Sequence, residues 1–255
     1  MKKRTNNFKY VKIYHSKHVS FKELKESSFF SSFINYLDTV YSRALVESLI
    51  NIVRDFNAHD SYDMKQFYEF VENTIQLIEI NYDVEVPNDV VKEISSELYS
   101  IYQNNQFSHF RGQLLEYLIV YLEKNNNCKI YHEPKFYHKR KRFFKRKFEG
   151  SNCLIDVVKV RKRSCDVILI ECKANIDNHI KRIGNQGEKF TKKLRLMDSL
   201  EGKLSTYIDE NENQVKVTKN LASIKQPILK LPVKYTDYNY INLLDHFIFK
   251  NKMLI

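Results

Sequence analysis

Asp156-Val157-Val158-Lys159-Val160-Arg161, then Lys162-Arg163-Ser164-Cys165, then Asp166-Val167-Ile168-Leu169-Ile170-Glu171-Cys172-Lys173 is the stretch that decides the fold. Both outer runs are short, apolar and rich in β-branched residues, which suits strands. Alternate side chains of a strand share a face, so Val167, Leu169, Glu171 and Lys173 point the same way. If the first run folds back across Lys162 to Cys165 with Arg161 opposite Asp166, then Asp156 stands opposite Glu171. Two carboxylates and an amine then meet above an apolar patch of Val158, Val160, Val167 and Leu169. Asp166 pairs with Arg161 at the hairpin mouth and is structural. The connection contains neither Gly nor Asn, so a four-residue loop is favoured over a two-residue one. A slip of one residue would turn Asp156 to the opposite face.

Upstream the period changes to that of helices. From Phe29 to about Glu79, apolar residues recur as Leu45, Leu49, Ile52, Val53 and Phe56, then Phe67, Phe70, Val71, Ile75 and Ile78. Pro87-Asn88-Asp89 signals another helix start, with Val90, Val91, Ile94, Leu98 and Ile101 in phase until Asn104-Asn105. A further helix is predicted from Phe107 to Glu123. From Cys128 onward short strand-like runs take over: Lys129 to Tyr131, Phe143 to Phe148, Leu154 to Val160 and Asp166 to Ala174. A polar helix is expected from about His179 to Leu204, followed by strands at Val215 to Thr218 and Ile228 to Val233. The expected organisation is a mainly helical region over 1–105 and an α/β (α+β) domain over 106–255, a central mixed β-sheet flanked by helices.

With 255 residues, 43% of them hydrophobic, the chain can bury a core. No apolar run is long enough to span a bilayer, and the basic Met1-Lys2-Lys3-Arg4 is not followed by an apolar signal core. A cytoplasmic protein with no membrane partner is expected. Cys128, Cys153, Cys165 and Cys172 lack Cys-x-x-Cys spacing and read as buried free thiols of a reducing cytoplasm, with a structural zinc site as the second reading. The net charge of +11 has a local source. His138 to Lys147 holds Lys139, Arg140, Lys141, Arg142, Lys145, Arg146 and Lys147, and Arg161, Lys162 and Arg163 follow. Flanking the Asp156 strand, these cations point to a polyanionic partner.

Two close carboxylates repel, and without a cation one of them would have a raised pKa. A hard divalent ion relieves that conflict, and Mg²⁺ suits a site with few protein ligands and a phosphate to complete its shell. Such an ion activates water and stabilises a leaving oxygen, while Lys173 orients or deprotonates the water or offsets transition-state charge. There is no Gly-rich phosphate loop, nucleophile elbow or His/Cys ligand spacing in the chain.

The order Glu116, Asp156, then Glu171-Cys172-Lys173 resembles the PD-(D/E)xK nuclease superfamily, the restriction-endonuclease-like fold. The likeness covers about Ser108 to Lys193 and departs from the common pattern in having Ile155 before the Asp. It implies a metal-dependent nuclease, with DNA the favoured substrate, Asp156 and Glu171 holding Mg²⁺ (or Mn²⁺), and Glu116 completing the site from its helix. Gly112, four residues earlier, is expected to let another element approach closely there; Glu123 is the fallback. His109 is expected to be exposed. Gln186-Gly187-Glu188-Lys189-Phe190 resembles the Gln-x-x-x-Tyr element of the RecB-type branch, which suggests Gln186 as a phosphate contact. A nucleic-acid-binding subunit that keeps the fold without cleaving remains the alternative. The helical region could dock a partner protein, and a homodimer would supply two sites for cutting two strands.

Overall fold

The computed structural model describes residues 6–7, 11–14, 40–56, 60–124, 127–139, 141–143, 155–162, 164, 166–183, 189–208, 213–235 and 237–252. The described chain divides into two compact units, Met1–His18 with Glu116–Asn242 and Val19–Leu115 with Leu243–Ile255. This differs from the expected division at residue 105. The boundary falls inside a helix, the early strand Val11–Tyr14 joins the sheet unit, and the C-terminal helix Leu243–Lys252 returns to the helical unit. That return is physical: the C-terminal helix buries Leu243 and Phe247 and packs on the helix Val40–Asp55.

The helical unit contains α1 (Val40–Asp55), α2 (Met64–Tyr82), α3 (Asn88–Gln103) and the start of α4 (Phe107–Glu123). One long helical reading over Phe29 to Glu79 is replaced here by two helices, and 29–39 lies outside the described residues. The break is set by Asp63, whose side chain accepts from the Gln66 N–H while Gln66 returns the bond to the Asp63 N–H, a complete capping box. At the other end of α3, Asn104 caps the helix and Asn105 turns at φ 56°, as the Asn pair suggests. The Tyr- and Phe-rich stripes are core: Phe56 packs against Phe67, Tyr102 and Phe107 with ring centroids 5.0, 5.2 and 4.6 Å away.

The other unit is a mixed α/β fold. Strands β1 (Asn6–Asn7), β2 (Val11–Tyr14), β3 (Cys128–His132), β4 (Lys135–His138), β5 (Lys141–Arg142), β6 (Val157–Arg161) and β7 (Val167–Cys172) come first. They are followed by α5 (Ile176–Ile180), α6 (Lys189–Leu204), β8 (Tyr207–Ile208), β9 (Val217–Ser223) and β10 (Tyr238–Asn242); the chain ends with α7 (Leu243–Lys252) in the helical unit. The five-stranded sheet has the order β10-β9-β7-β6-β3. β3, β6 and β7 pair antiparallel, whereas β7, β9 and β10 run parallel. A smaller antiparallel sheet has the order β2-β4-β5.

The expected hairpin register is present. Val157 faces Ile170, Val158 faces Leu169 and Val160 faces Val167, and beyond them the Arg161 N–H donates to the Asp166 carbonyl at 3.0 Å. Val158, Val160, Val167 and Leu169 join Leu221 of β9 on the face covered by α6, where Phe190, Leu194, Met197, Leu200 and Leu204 form a buried stripe. The predicted strand at Ile228 to Val233 is not one. Pro227 precedes that segment and Pro232 lies within it, its Ile228 and Leu229 N–H groups donate to the Asp177 carboxylate, and Ile228 and Val233 are exposed. The single polar helix expected from His179 to Leu204 is instead α5 and α6, separated by a stretch that includes Gly184 and Gly187.

Candidate functional site

Asp156 immediately precedes β6 and Glu171 lies near the end of β7, so the antiparallel register brings them to one sheet end, facing α6. Both are buried, at 3% and 0% exposure. The Cys172 N–H donates to Asp156 Oδ2 at 2.8 Å, which locks that carboxylate across the strand pair. Lys173 follows on the same strand line: its Nζ bonds Glu171 Oε1 and the Cys172 carbonyl, and lies 3.7 Å from Asp156 Oδ2.

The residue the sequence reading missed is Lys193. From the first turn of α6 its ammonium bonds Asp156 Oδ1 and reaches Glu171 Oε1 at 2.7 Å, so it bridges the two carboxylates. A signal existed: Lys193, Met197, Leu200 and Leu204 share one helical phase, so a lysine occupies the apolar stripe. The neighbouring Lys189, Lys192 and Arg195 hid it among ordinary surface charges.

The electrostatics follow from burial and these contacts. Burial opposes ionisation of Asp156, but the Lys193 and Lys173 charges and the Cys172 N–H outweigh it and hold its pKa below the usual carboxylate range. For Glu171 burial wins, reinforced by the Asp156 charge, and its carboxyl is pushed up to about 7. The repulsion anticipated for two close carboxylates thus falls on Glu171. Burial disfavours the charged form of both lysines, yet the facing carboxylates raise their pKa values, so both remain ammonium groups.

Glu116 projects from α4 and meets His132, with Oε2 and Nε2 2.9 Å apart. Burial raises its pKa and the Asp156 charge adds to the effect, while His132 and Lys193 oppose it. Glu116 is therefore within electrostatic reach of the pair but turned toward His132. Glu123, the fallback, forms a buried ion pair with Lys159 that ties the end of α4 to β6. Among the described residues the close approach expected at Gly112 is absent, because a Cβ there would meet none of them within 4 Å. His109 is exposed. Asp166 contacts Arg161 at 3.8 Å and accepts from Ser164, away from the cluster.

Of the expected nucleic-acid contacts, Lys139 and Lys141 are exposed beside β5, and Lys139 adopts a left-handed φ of 47°. Arg142 ends β5. Arg140, Lys145, Arg146, Lys147, Arg163 and Gln186 lie outside the described residues. Phe190, at the Tyr position of the Gln-x-x-x-Tyr likeness, is fully buried in the core.

The residues present fit a hard divalent cation in their donor chemistry. Asp156 and Glu171 offer convergent carboxylate oxygens, and Glu171 Oε2 is buried without a hydrogen-bond partner among the described residues. No group of three or more His, Cys, Asp or Glu side chains forms a ready metal cage among the described residues. The bridging cation is the Lys193 ammonium.

No known protein family matches the chain, and no curated protein matches it in sequence. Among solved structures it is similar to the crystal structure of protein VC1899 from Vibrio cholerae, with a TM-score of 0.33 and 8% identity. The match covers 96% of this chain and 58% of that one, so the chain spans a little over half of its length. A likeness that loose carries no argument about fold or activity. Among the described residues no helix is long and apolar enough to cross a membrane.

Proposed function

We propose that this chain is a metal-dependent nuclease that hydrolyses phosphodiester bonds, most simply a DNA endonuclease of the PD-(D/E)xK kind. The observation that supports it best is the buried Asp156 and Glu171 pair at one sheet end with two ammonium groups in contact. Burying two carboxylates side by side is costly for a structural role alone, since an apolar pair would fill the space more cheaply. Asp156 and Glu171, with Glu116 rotated away from His132, would hold Mg²⁺, or Mn²⁺ in its place. When bound, that ion supplies Lewis acidity and a water of lowered pKa.

Lys173 acts as a charged donor. Its raised pKa makes it a poor base, so it orients the attacking water or stabilises charge on the phosphoryl oxygens. Lys193 bridges the two carboxylates, and a divalent ion held by Asp156 and Glu171 would take over that bridging role and leave its ammonium to pair with a phosphate. Exposed Lys139 and Lys141 steer the polyanion. We assign the protein to the reducing cytoplasm, in keeping with the free Cys128 and Cys172 thiols, and leave the helical unit to partner docking or dimer formation.

A second reading has its own support: Lys193 already neutralises the carboxylates, as in a binding subunit that never loads metal. The two readings separate in an assay of single-stranded, duplex, branched and RNA substrates with Mg²⁺ or Mn²⁺. The nuclease reading expects cleavage that disappears in Asp156→Ala and Lys173→Ala while binding persists. Binding by all three proteins with no cleavage of any substrate would establish the binding subunit.

A further inference from the structure

A second basic feature lies on the same unit as the carboxylate pair. A cavity of about 440 Å³ is lined by His138, Lys139, Lys141, Phe143, Lys203 and Tyr207, with Gly202 and Thr206 at its edge. That volume suits one small ligand rather than a helix or a duplex. Among the described residues, three lysines and no acidic residue line it, so their field favours an anion. Its aromatic wall is ordered: the Phe143 and Tyr207 rings stack 15° from parallel with centroids 6.2 Å apart, and His138 sets its edge to Tyr207 at 5.3 Å. His138 Nε2 is buried and has no hydrogen-bond partner among the described residues, although burying a polar nitrogen without one is costly.

We propose that this cavity binds one nucleotide of a single-stranded nucleic acid. Lysine ammoniums at the rim take the phosphates, the aromatic wall takes the base, and His138 Nε2 pairs with a polar group of the sugar or base. Stacking platforms combined with cations are how single strands are held without regard to sequence, whereas the bases of a duplex are not available to stack. Lys203 is also placed to connect the cavity with the carboxylate pair. It follows Lys193 by ten residues on α6, a rise of about 15 Å, which a few nucleotides of single strand can span. A strand anchored here therefore reaches the Asp156 and Glu171 end of the same helix, a consequence that rests on the nuclease reading, whereas binding in the cavity does not.

The test is fluorescence anisotropy of a labelled twelve-nucleotide oligothymidylate in EDTA, where no cleavage occurs, with thermal melts confirming that each variant is folded. Lys141→Glu and Lys203→Glu alter exposed side chains, and each is expected to weaken binding about tenfold and to flatten the log-log salt slope by about 0.7 for each phosphate that is no longer neutralised. The chain contains no tryptophan, so Phe143→Trp supplies a single reporter whose emission the seated base should quench. Wild-type affinity and salt slope in both lysine variants would overturn the proposal. So would equal competition by duplex of the same sequence, or a quench that thymidine monophosphate produces at the same concentration as the strand. Because metal is absent throughout, these outcomes leave the carboxylate centre untouched, and loss of cleavage in Asp156→Ala leaves the cavity untouched.

Discussion

Two lysine–carboxylate clusters sit on the same face of the same sheet, and both involve α6, yet they are built in opposite senses. At the sheet end the strands supply the carboxylates, Asp156 and Glu171, and the helix supplies the Lys193 ammonium. Further along, β9 supplies Lys219, and its partners are Asp198 and Glu201 of α6 at 2.8 and 2.6 Å together with Asp237. In the first cluster the carboxylate side chains are 4% and 0% exposed; in the second the ammonium is buried and the carboxylates are 39%, 35% and 57% exposed. Exposed carboxylates stay hydrated whatever Lys219 does, so that cluster is an anchor. Buried carboxylates must be neutralised by a cation or a proton, and on the proposed reading a divalent ion can replace the ammonium. On the proposed reading, that asymmetry favours the sheet end over the Lys219 cage as the cation site.

Replacing each lysine by an isosteric apolar residue breaks the comparison most sharply. Lys193→Met leaves two buried carboxylates with Lys173 alone and should destabilise the protein by about 3–5 kcal/mol in urea titrations with EDTA present. Mn²⁺ should restore part of that loss. Destabilisation that metal does not touch would mean that the pair has no affinity for a divalent ion.

The pH dependence separates the clusters next. Burial and the Asp156 charge push the folded Glu171 carboxyl from its ordinary 4.5 up to about 7, so the folded protein holds a proton that the unfolded chain has released between those values. Its contribution is complete below about 4.5 and disappears as pH rises through 7. Asp156, depressed by its lysines, stays ionised throughout that window and adds no slope. Metal-free stability should therefore fall between pH 5 and 8 in the wild type, and Glu171→Gln should flatten the fall, as read from urea midpoints at the two pH values. Lys219, whose pKa is raised against the effect of burial by Asp198, Asp237 and Glu201, contributes stability that persists below its unfolded value and is lost only in alkali.

Lys219→Met should cost less, about 1–2 kcal/mol, because it strands no buried charge. Tyr238 OH keeps its bonds to Asp198 and the Leu194 carbonyl, which limits the damage. A loss as large as that in Lys193→Met would erase the distinction drawn between the two clusters. Smallest is Gly112→Ala, where open space around the helix position leaves only the backbone entropy gain, about 0.5–1 kcal/mol of added stability in the same titration.

What could be read from the sequence was whatever is local in register. The hairpin pairing of Asp156 with Glu171 and the incidental role of Asp166 follow from period two and one loop length, and α4 follows from its apolar phase. Lys193 needed knowledge of which helix covers the sheet, a long-range fact that a lysine in a Lys-rich helix does not advertise. The Glu116 bond to His132 likewise depends on β3 pairing with β6. Ile228 to Val233 is apolar enough for a strand, but Pro227 before it, Pro232 within it and the bonds to Asp177 win. The Lys135–His138 and Tyr238–Asn242 strands passed unnoticed because their polar and aromatic mixture lacks clean alternation.

The most direct measurement is calorimetric titration of Mn²⁺ into the wild type and into Lys193→Met, Asp156→Asn and Glu171→Gln at neutral pH. One ion per chain is predicted, bound at least tenfold more tightly in Lys193→Met because the competing ammonium is gone, and lost in the two carboxylate variants. Equal Mn²⁺ binding by all four proteins, or none by any, would contradict the claim that this carboxylate pair is an exchangeable cation site.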